Sequence, residues 1–190
     1  MISVVIPTLN CERALLATLA ALVPGAIDGL ISEVIVADAG SSDDTAAVAD
    51  GAGCKFLGLE GPLGRRLKIA AASARAPWLM FLRPGTILDA GWIGEARGFV
   101  ERSPSQTGAA IFRRGAAARP ALREVWSLFV AALGAAPRPE QGLLIARQFY
   151  DALGGHCDRA AHTESDLIRR IGRRRIVRLS TAAICARADA

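Results

Sequence analysis

The chain has few of the residues that announce a metal centre, a cross-linked framework or a membrane span. Its four cysteines, Cys11, Cys54, Cys157 and Cys185, are scattered without a Cys-x-x-Cys pair. That argues against a zinc site or a disulfide framework and leaves reduced thiols with packing roles. Histidine occurs only twice, at His156 and His162, and an isolated histidine is more often packed or solvated than a metal ligand. The longest apolar helical stretch, residues 125–136, ends at Gly134 and Pro137, well short of the roughly 20 residues a bilayer requires. Met1 runs directly into the strand-like ISVVIP with no basic segment before it, so no signal peptide is read and the expected compartment is cytoplasmic. Aromatic residues make up only 5% of the chain although 52% is apolar. Alanine and aliphatic side chains therefore have to fill the core, which predicts helices packed closely on a sheet.

What is plentiful is alternating structure and positive charge. A length of 190 residues suits one domain, residues 1–190, rather than two. The net charge of +5 favours an anionic partner, whether a nucleotide diphosphate, a phospholipid surface or a nucleic acid, and does not choose among them. Residues 2–6 read as a buried strand stopped by Pro7. Leu15, Leu16, Leu19, Leu22 and Val23 then recur at helical spacing up to Pro24 and Gly25. The unit repeats with a strand at 34–37 and a helix at 44–52, with a strand at 54–57 and a helix at 65–74, and with a strand at 78–82 before a helix at 92–100. Such alternation predicts an α/β domain with a mainly parallel sheet flanked by helices. The rhythm changes after Ser103. A strand at 108–113, an apolar helical stripe from Leu122 to Leu133, a strand at 143–146, and helices at 149–153 and 163–171 follow, with Thr163 a candidate cap. The arginines from Arg173 to Arg178 read as a solvated helix end, and the tail after Ser180 carries no pattern. The first half, 1–102, is thus separable from a second half, 103–180.

The stretch ISEVIVADAGSSDDT, residues 31–45, holds the polar chemistry. Asp38 stands at the carboxyl end of an apolar strand, where open α/β sheets place their ligands, and Gly40 opens the turn beside it. A loop carboxylate that only satisfies nearby backbone N–H groups is the competing reading.

Taken together, VVIPTLNCE, EVIVADAGSSDDT, APWLMFLRPGTILDAGW, EQGLLIARQFYDALGG and TESDLIRRI resemble the loops of inverting family 2 glycosyltransferases. That resemblance implies the single-domain GT-A-like fold of nucleotide-diphospho-sugar transferases. It also implies a nucleotide sugar as donor, a UDP-sugar being favoured, with no nucleic acid as partner, and transfer of the sugar to an acceptor hydroxyl with inversion. By the same resemblance the first half binds the nucleotide sugar and the second the acceptor. Pro7, Thr8, Asn10, Glu12 and Gly40 would line the nucleotide pocket, Asp38 would bond the base, and Arg65 and Lys68 would contribute polar donor contacts. Glu140 and Gln141 stand where a pair helps to position the acceptor. Thr163 and Glu164 stand where the family carries a Glu-Asp pair whose Asp is the base, so Glu164 becomes the candidate base.

The departures are as informative. Ala70 falls where many members carry Asn. Arg83, Pro84 and Gly85 replace the metal-binding Asp-x-Asp, so no divalent metal is expected and Arg83 would supply the missing charge. Two rival readings stay open: a catalytically degenerate nucleotide-sugar-binding or interaction protein, and a peripheral protein whose arginines face an anionic membrane surface.

Overall fold

The computed structural model describes residues 1–103, 107–115, 141–158 and 162–185. The first four strands are β1 (Ile2–Thr8), β2 (Ile31–Asp38), β3 (Lys55–Gly58) and β4 (Trp78–Phe81), joined by α1 (Glu12–Ile27), α2 (Thr45–Gly51) and α3 (Leu63–Ala72). They lie parallel in the order β3-β2-β1-β4. Because parallel crossovers are right-handed, the reversal of strand order after β3 sends α3 to the face opposite α1 and α2. Val4, Val5, Ile6, Ile35 and Val36 are fully buried between these layers, which is why the strands read as unbroken apolar runs.

The second half adds β5 (Thr86–Leu88), α4 (Trp92–Arg102), β6 (Ala109–Arg114), β7 (Leu143–Ala146), α5 (Arg147–Ala152), α6 (Thr163–Ile171) and β8 (Ile176–Cys185). Among the described residues the sheet has eight strands in the order β3-β2-β1-β4-β7-β6-β8-β5. β7 runs antiparallel to β4 and to β6, β8 runs parallel to β6, and β5 antiparallel to β8. No helix of the described residues is long and apolar enough to cross a membrane. The expected stripe from Leu122 to Leu133 lies outside the described residues.

Pro7 and Pro24, both read as stops, are instead absorbed. Pro7 pairs with Ala37 inside β1. Ala39 donates to the Thr8 carbonyl, so Thr8 faces β2 and the nitrogen of Pro7 faces the β4 side. Pairing with β4 has already ended there at Val5, and no ladder donor is missed. Pro24 lies inside α1, which continues to Ile27. The extra turn is held by Gly25, whose added Cβ would sit 2.5 Å from the Trp92 ring. The described part of the tail that carried no pattern, residues 181–185, completes β8, and β5 was also missed, being three residues long. Arg173–Arg175 form a single 3-10 turn, exposed as the basic run predicted.

Candidate functional site

Parallel strands β1, β2 and β4 end on one edge, and two loops lock together there. Asp38, the last residue of β2, is 2% exposed. Its Oδ1 accepts from the hydroxyls of Thr8 at 2.7 Å and Ser41 at 2.5 Å. Oδ2 accepts from the backbone N–H groups of Gly40 at 2.8 Å and Ser41 at 2.7 Å. Burial pushes the carboxyl up, but the bonds from Ser41, Thr8 and Gly40 outweigh it and hold Asp38 below the usual carboxylate range. A carboxylate offers about four lone-pair positions, and here four donors already use them. The competing structural reading of Asp38 is therefore physically realised in this state of the site.

The loop after β1 is fastened to the same turn. Asn10 adopts φ 47°, a left-handed conformation that Asn tolerates better than most residues. In it, Asn10 N–H donates to Ser41 Oγ at 2.8 Å, and Oδ1 accepts from Ser42 N–H at 2.8 Å. Glu12 N–H donates to Asp43 Oδ2 at 3.2 Å, while Glu12 Oε2 accepts from Asp44 N–H at 3.3 Å. Asp43 also accepts from the Thr45 N–H and hydroxyl, which anchors the start of α2. Pro7, Thr8, Asn10, Glu12, Asp38 and Gly40 are thus brought together as one loop pair, with Asn10 and Gly40 exposed and Glu12 half-buried.

Arg65 and Lys68 on α3 are both exposed, while the residue between them that reaches this edge was missed. Arg66 is 9% exposed, and its Nη1 donates to the carbonyls of Ala37 at 2.9 Å and Thr8 at 3.3 Å. It therefore ties the ends of β1 and β2 from the face opposite α1. Its Nε is buried without a partner among the described residues. Burial lowers the affinity of Arg66 for its proton and nearby Asp38 opposes that effect. The signal was available in the helical spacing, since Arg66 lies on the same stripe as Leu63, Leu67 and Ala70.

The residue following β4 meets the start of α6. Arg83 Nε donates to Glu164 Oε1 at 3.3 Å, and Nη2 donates to Glu164 Oε2 in a second, closer contact. This fork sets Arg83, the residue expected in place of a metal-binding motif, against the candidate base. The side chains are 39% and 15% exposed, respectively. Neighbouring strands are about 4.8 Å apart, so Arg83, following a strand two positions from β2, opens about 10 Å along the edge from Asp38.

What fixes Glu164 there is the seating of α6 on α3. A Cβ on Gly64 would lie 2.2 Å from the Cys157 carbonyl and 2.8 Å from Thr163 Oγ1, so only glycine allows this approach. Thr163 is not the cap that its sequence position suggested. It is the first helical residue, 3% exposed, with a hydroxyl that has no partner among the described residues, and His162 is the cap position. Arg170 secures the preceding loop by donating to Leu153 O and Gly155 O, both at 2.6 Å, and to Asp166 Oδ2 at 2.8 Å. His156, 1% exposed, accepts or donates at Nδ1 to Tyr150 Oη at 2.8 Å and packs edge-on to Phe81. Burial, reinforced by Arg170, pushes the His156 pKa down to about 3. It is a neutral core histidine. Gln141 donates to the Phe112 carbonyl at 2.8 Å, and Glu140 lies outside the described residues.

A divalent cation on the donor would require hard oxygen ligands. Arg83, Pro84 and Gly85 bring no carboxylate, and no group of three or more His, Cys, Asp or Glu side chains placed to hold a metal occurs among the described residues.

The sequence profile of glycosyl transferase family 2 matches residues 3–126. No curated protein sequence matches the chain. Among solved structures, glucosyl-3-phosphoglycerate synthase from Mycobacterium tuberculosis is similar in fold. Its complex with Mn2+, UDP and glucosyl-3-phosphoglycerate superposes with a TM-score of 0.72 at 19% identity, covering 100% of this chain and 73% of that one. Its complex with Mn2+ and UDP-glucose gives 0.73 at 19% identity over 100% and 72%. Its UDP complex gives 0.69 at 21% identity over 95% and 69%. At such identities the likeness establishes the GT-A-like fold.

Proposed function

The chain belongs to glycosyl transferase family 2, and from that premise we propose that it binds a nucleotide-diphosphate sugar at the edge formed by β1, β2 and β4 and transfers the sugar to an acceptor hydroxyl with inversion. The observation that carries this reading is the meeting of Arg83 and Glu164 at that edge, beside the loop pair built around Asp38. UDP or UDP-glucose in the complexes of the synthase with the same fold supports a uridine donor. The base sits between the two loops, and Asp38 accepts its imide N–H in exchange for the Ser41 hydroxyl, the donor that turns away by rotation about a single bond. Pro7, Thr8, Asn10, Glu12 and Gly40 shape that pocket, and Arg65 and Lys68, exposed on α3, face the anionic donor.

Inversion requires one displacement at the anomeric carbon. Glu164 takes the proton of the acceptor hydroxyl as that oxygen attacks, and Arg83 pairs with the diphosphate that leaves, supplying positive charge where negative charge develops. Glu140 and Gln141 orient the acceptor. Arginine stays protonated throughout the physiological range. Donor affinity is therefore expected to ignore a chelator and to fall as salt rises.

The test is UDP and UDP-glucose binding with and without chelator, in the native protein and in Arg83→Ala, followed by transfer assays with Glu164→Gln. Chelator-insensitive binding weakened by Arg83→Ala, with turnover reduced about 100-fold by Glu164→Gln, is the expected result. Binding that requires added magnesium or manganese and is indifferent to Arg83 rejects the account.

A further inference from the structure

We infer that Glu164 is held in reserve until the donor binds: its ion pair with Arg83 is exchanged for the donor's diphosphate, so the carboxylate is released for catalysis only when that anion has taken its place. This inference rests on the proposed role of Arg83 at the diphosphate. Both oxygens of Glu164 are engaged by one edge of the guanidinium. A guanidinium edge pairs with one planar anion at a time. A phosphate approaching Arg83 must therefore either displace Glu164 or lie close to a carboxylate of like charge, which is unfavourable within about 4–6 Å.

Exchange is feasible at this position because the pair is neither deeply buried nor fully solvated. The guanidinium is 39% exposed, so an incoming anion has access to it, and the carboxylate is 15% exposed, so it does not dissociate readily into water. Its backbone is also fixed. α6 is seated on Gly64 and the loop before it is secured by Arg170, so release is a rotation of one side chain and not a movement of the helix. A diphosphate brings more negative charge than one carboxylate and displaces it. A nucleoside brings none and leaves the pair closed. Glu164 thus acts as an internal competitor that a diphosphate must displace and an uncharged ligand leaves in place, and its proton-accepting oxygens face the acceptor only after the donor is in place.

Isothermal titration with UDP and with uridine tests this in four proteins: native, Glu164→Gln, Arg83→Ala and the double variant. Glu164→Gln removes the competing charge while keeping the shape. It is expected to tighten UDP about fivefold, the scale of a partly exposed ion pair, and to leave uridine unchanged. In the Arg83→Ala background the same substitution is expected to give no gain. If Glu164→Gln leaves UDP affinity unchanged or weakens it while UDP still binds the native protein, the exchange is overturned and the donor reading survives. A gain that persists without Arg83 also overturns it, since relief of general repulsion then suffices. Absence of UDP binding in all four proteins overturns the exchange and the donor reading together, with uridine binding and the thermal transition reporting whether each variant is folded.

Discussion

Replacing Asp38 separates what its charge does from what its shape does. Asp38→Ala withdraws the acceptor from four donors, two hydroxyls and two backbone N–H groups. Gly40 is exposed and its N–H turns to water, and the Ser41 hydroxyl rotates outward. The buried Thr8 hydroxyl, 2% exposed, and the Ser41 N–H have no such recourse. At about 1.5–3 kcal/mol for each bond to a charged acceptor, losing these two costs roughly 3–6 kcal/mol. For a chain of this size that is a fall of about 10 °C in the thermal midpoint. Asp38→Asn should cost far less. Its amide oxygen accepts from the two backbone N–H groups at the Oδ2 position, and its NH2 donates to the two hydroxyls, which reverse their roles. Only charge assistance is lost, about 1 kcal/mol. The acid limb should change as well. The depressed pKa of Asp38 contributes stability that is present above the unfolded value of about 4 and lost as pH falls through the lower folded one, so Asp38→Asn should flatten that loss. Calorimetry of the three proteins at pH 7 and across pH 5 to 2 measures both effects. The reasoning is refuted if Asp38→Asn is as damaging as Asp38→Ala, or if Asp38→Ala costs less than about 1 kcal/mol.

Two further substitutions probe the support of the site. Gly64→Ala drives a Cβ against the Cys157 carbonyl and should destabilise the fold by about 1–3 kcal/mol, with loss of transfer activity exceeding loss of uridine binding because α6 is displaced. Equal loss of both would show that α3 and not α6 had moved. His156 is folded with its pKa pushed to about 3, while the unfolded chain takes up a proton near pH 6.5. Stability should therefore fall by about 1.4 kcal/mol per pH unit below pH 6.5, on account of this one group, until the folded value is approached. Urea unfolding of His156→Gln between pH 7 and 4.5 should show a shallower dependence than the native protein, and identical slopes would mean that the ring is protonated in the fold.

The first half was legible because β1, β4 and the end of β2 are buried on both faces and its turns carry their own chemistry: the pair of loops containing Asn10 and Asp38 could be read as a candidate ligand edge before any contact was known. What could not be read was long-range. Gln141 and Glu164 were placed by resemblance, but nothing local revealed that Glu164 would close on Arg83, 81 positions away. Arg66 was passed over for Arg65 and Lys68, although the helical stripe put it inward, because a buried cation runs against its intrinsic preference and is offset here by the carbonyls of Thr8 and Ala37 and by nearby Asp38. β8 escaped because a strand carrying Arg178, Ser180 and Thr181 shows no clean alternation. Its polar residues are satisfied by partners far off in the chain: Thr181 N–H and hydroxyl donate to Glu95 at 2.9 Å, and Ala182 N–H donates to Asp89 at 3.0 Å.

The position of β8 in the sheet has a consequence for synthesis. It lies between β6 and β5, and β5, made almost a hundred residues earlier, has its ladder partner in β8 alone among the described residues. During translation the segment 86–88 emerges with no strand to join, and β6 presents an open edge until the last of β8 has left the ribosome. An unpaired strand edge is a template for association with other chains. The nascent protein is therefore exposed to aggregation until residues 176–185 are released, and folding of its far edge is tied to the end of this stretch and not to the order in which the helices appear.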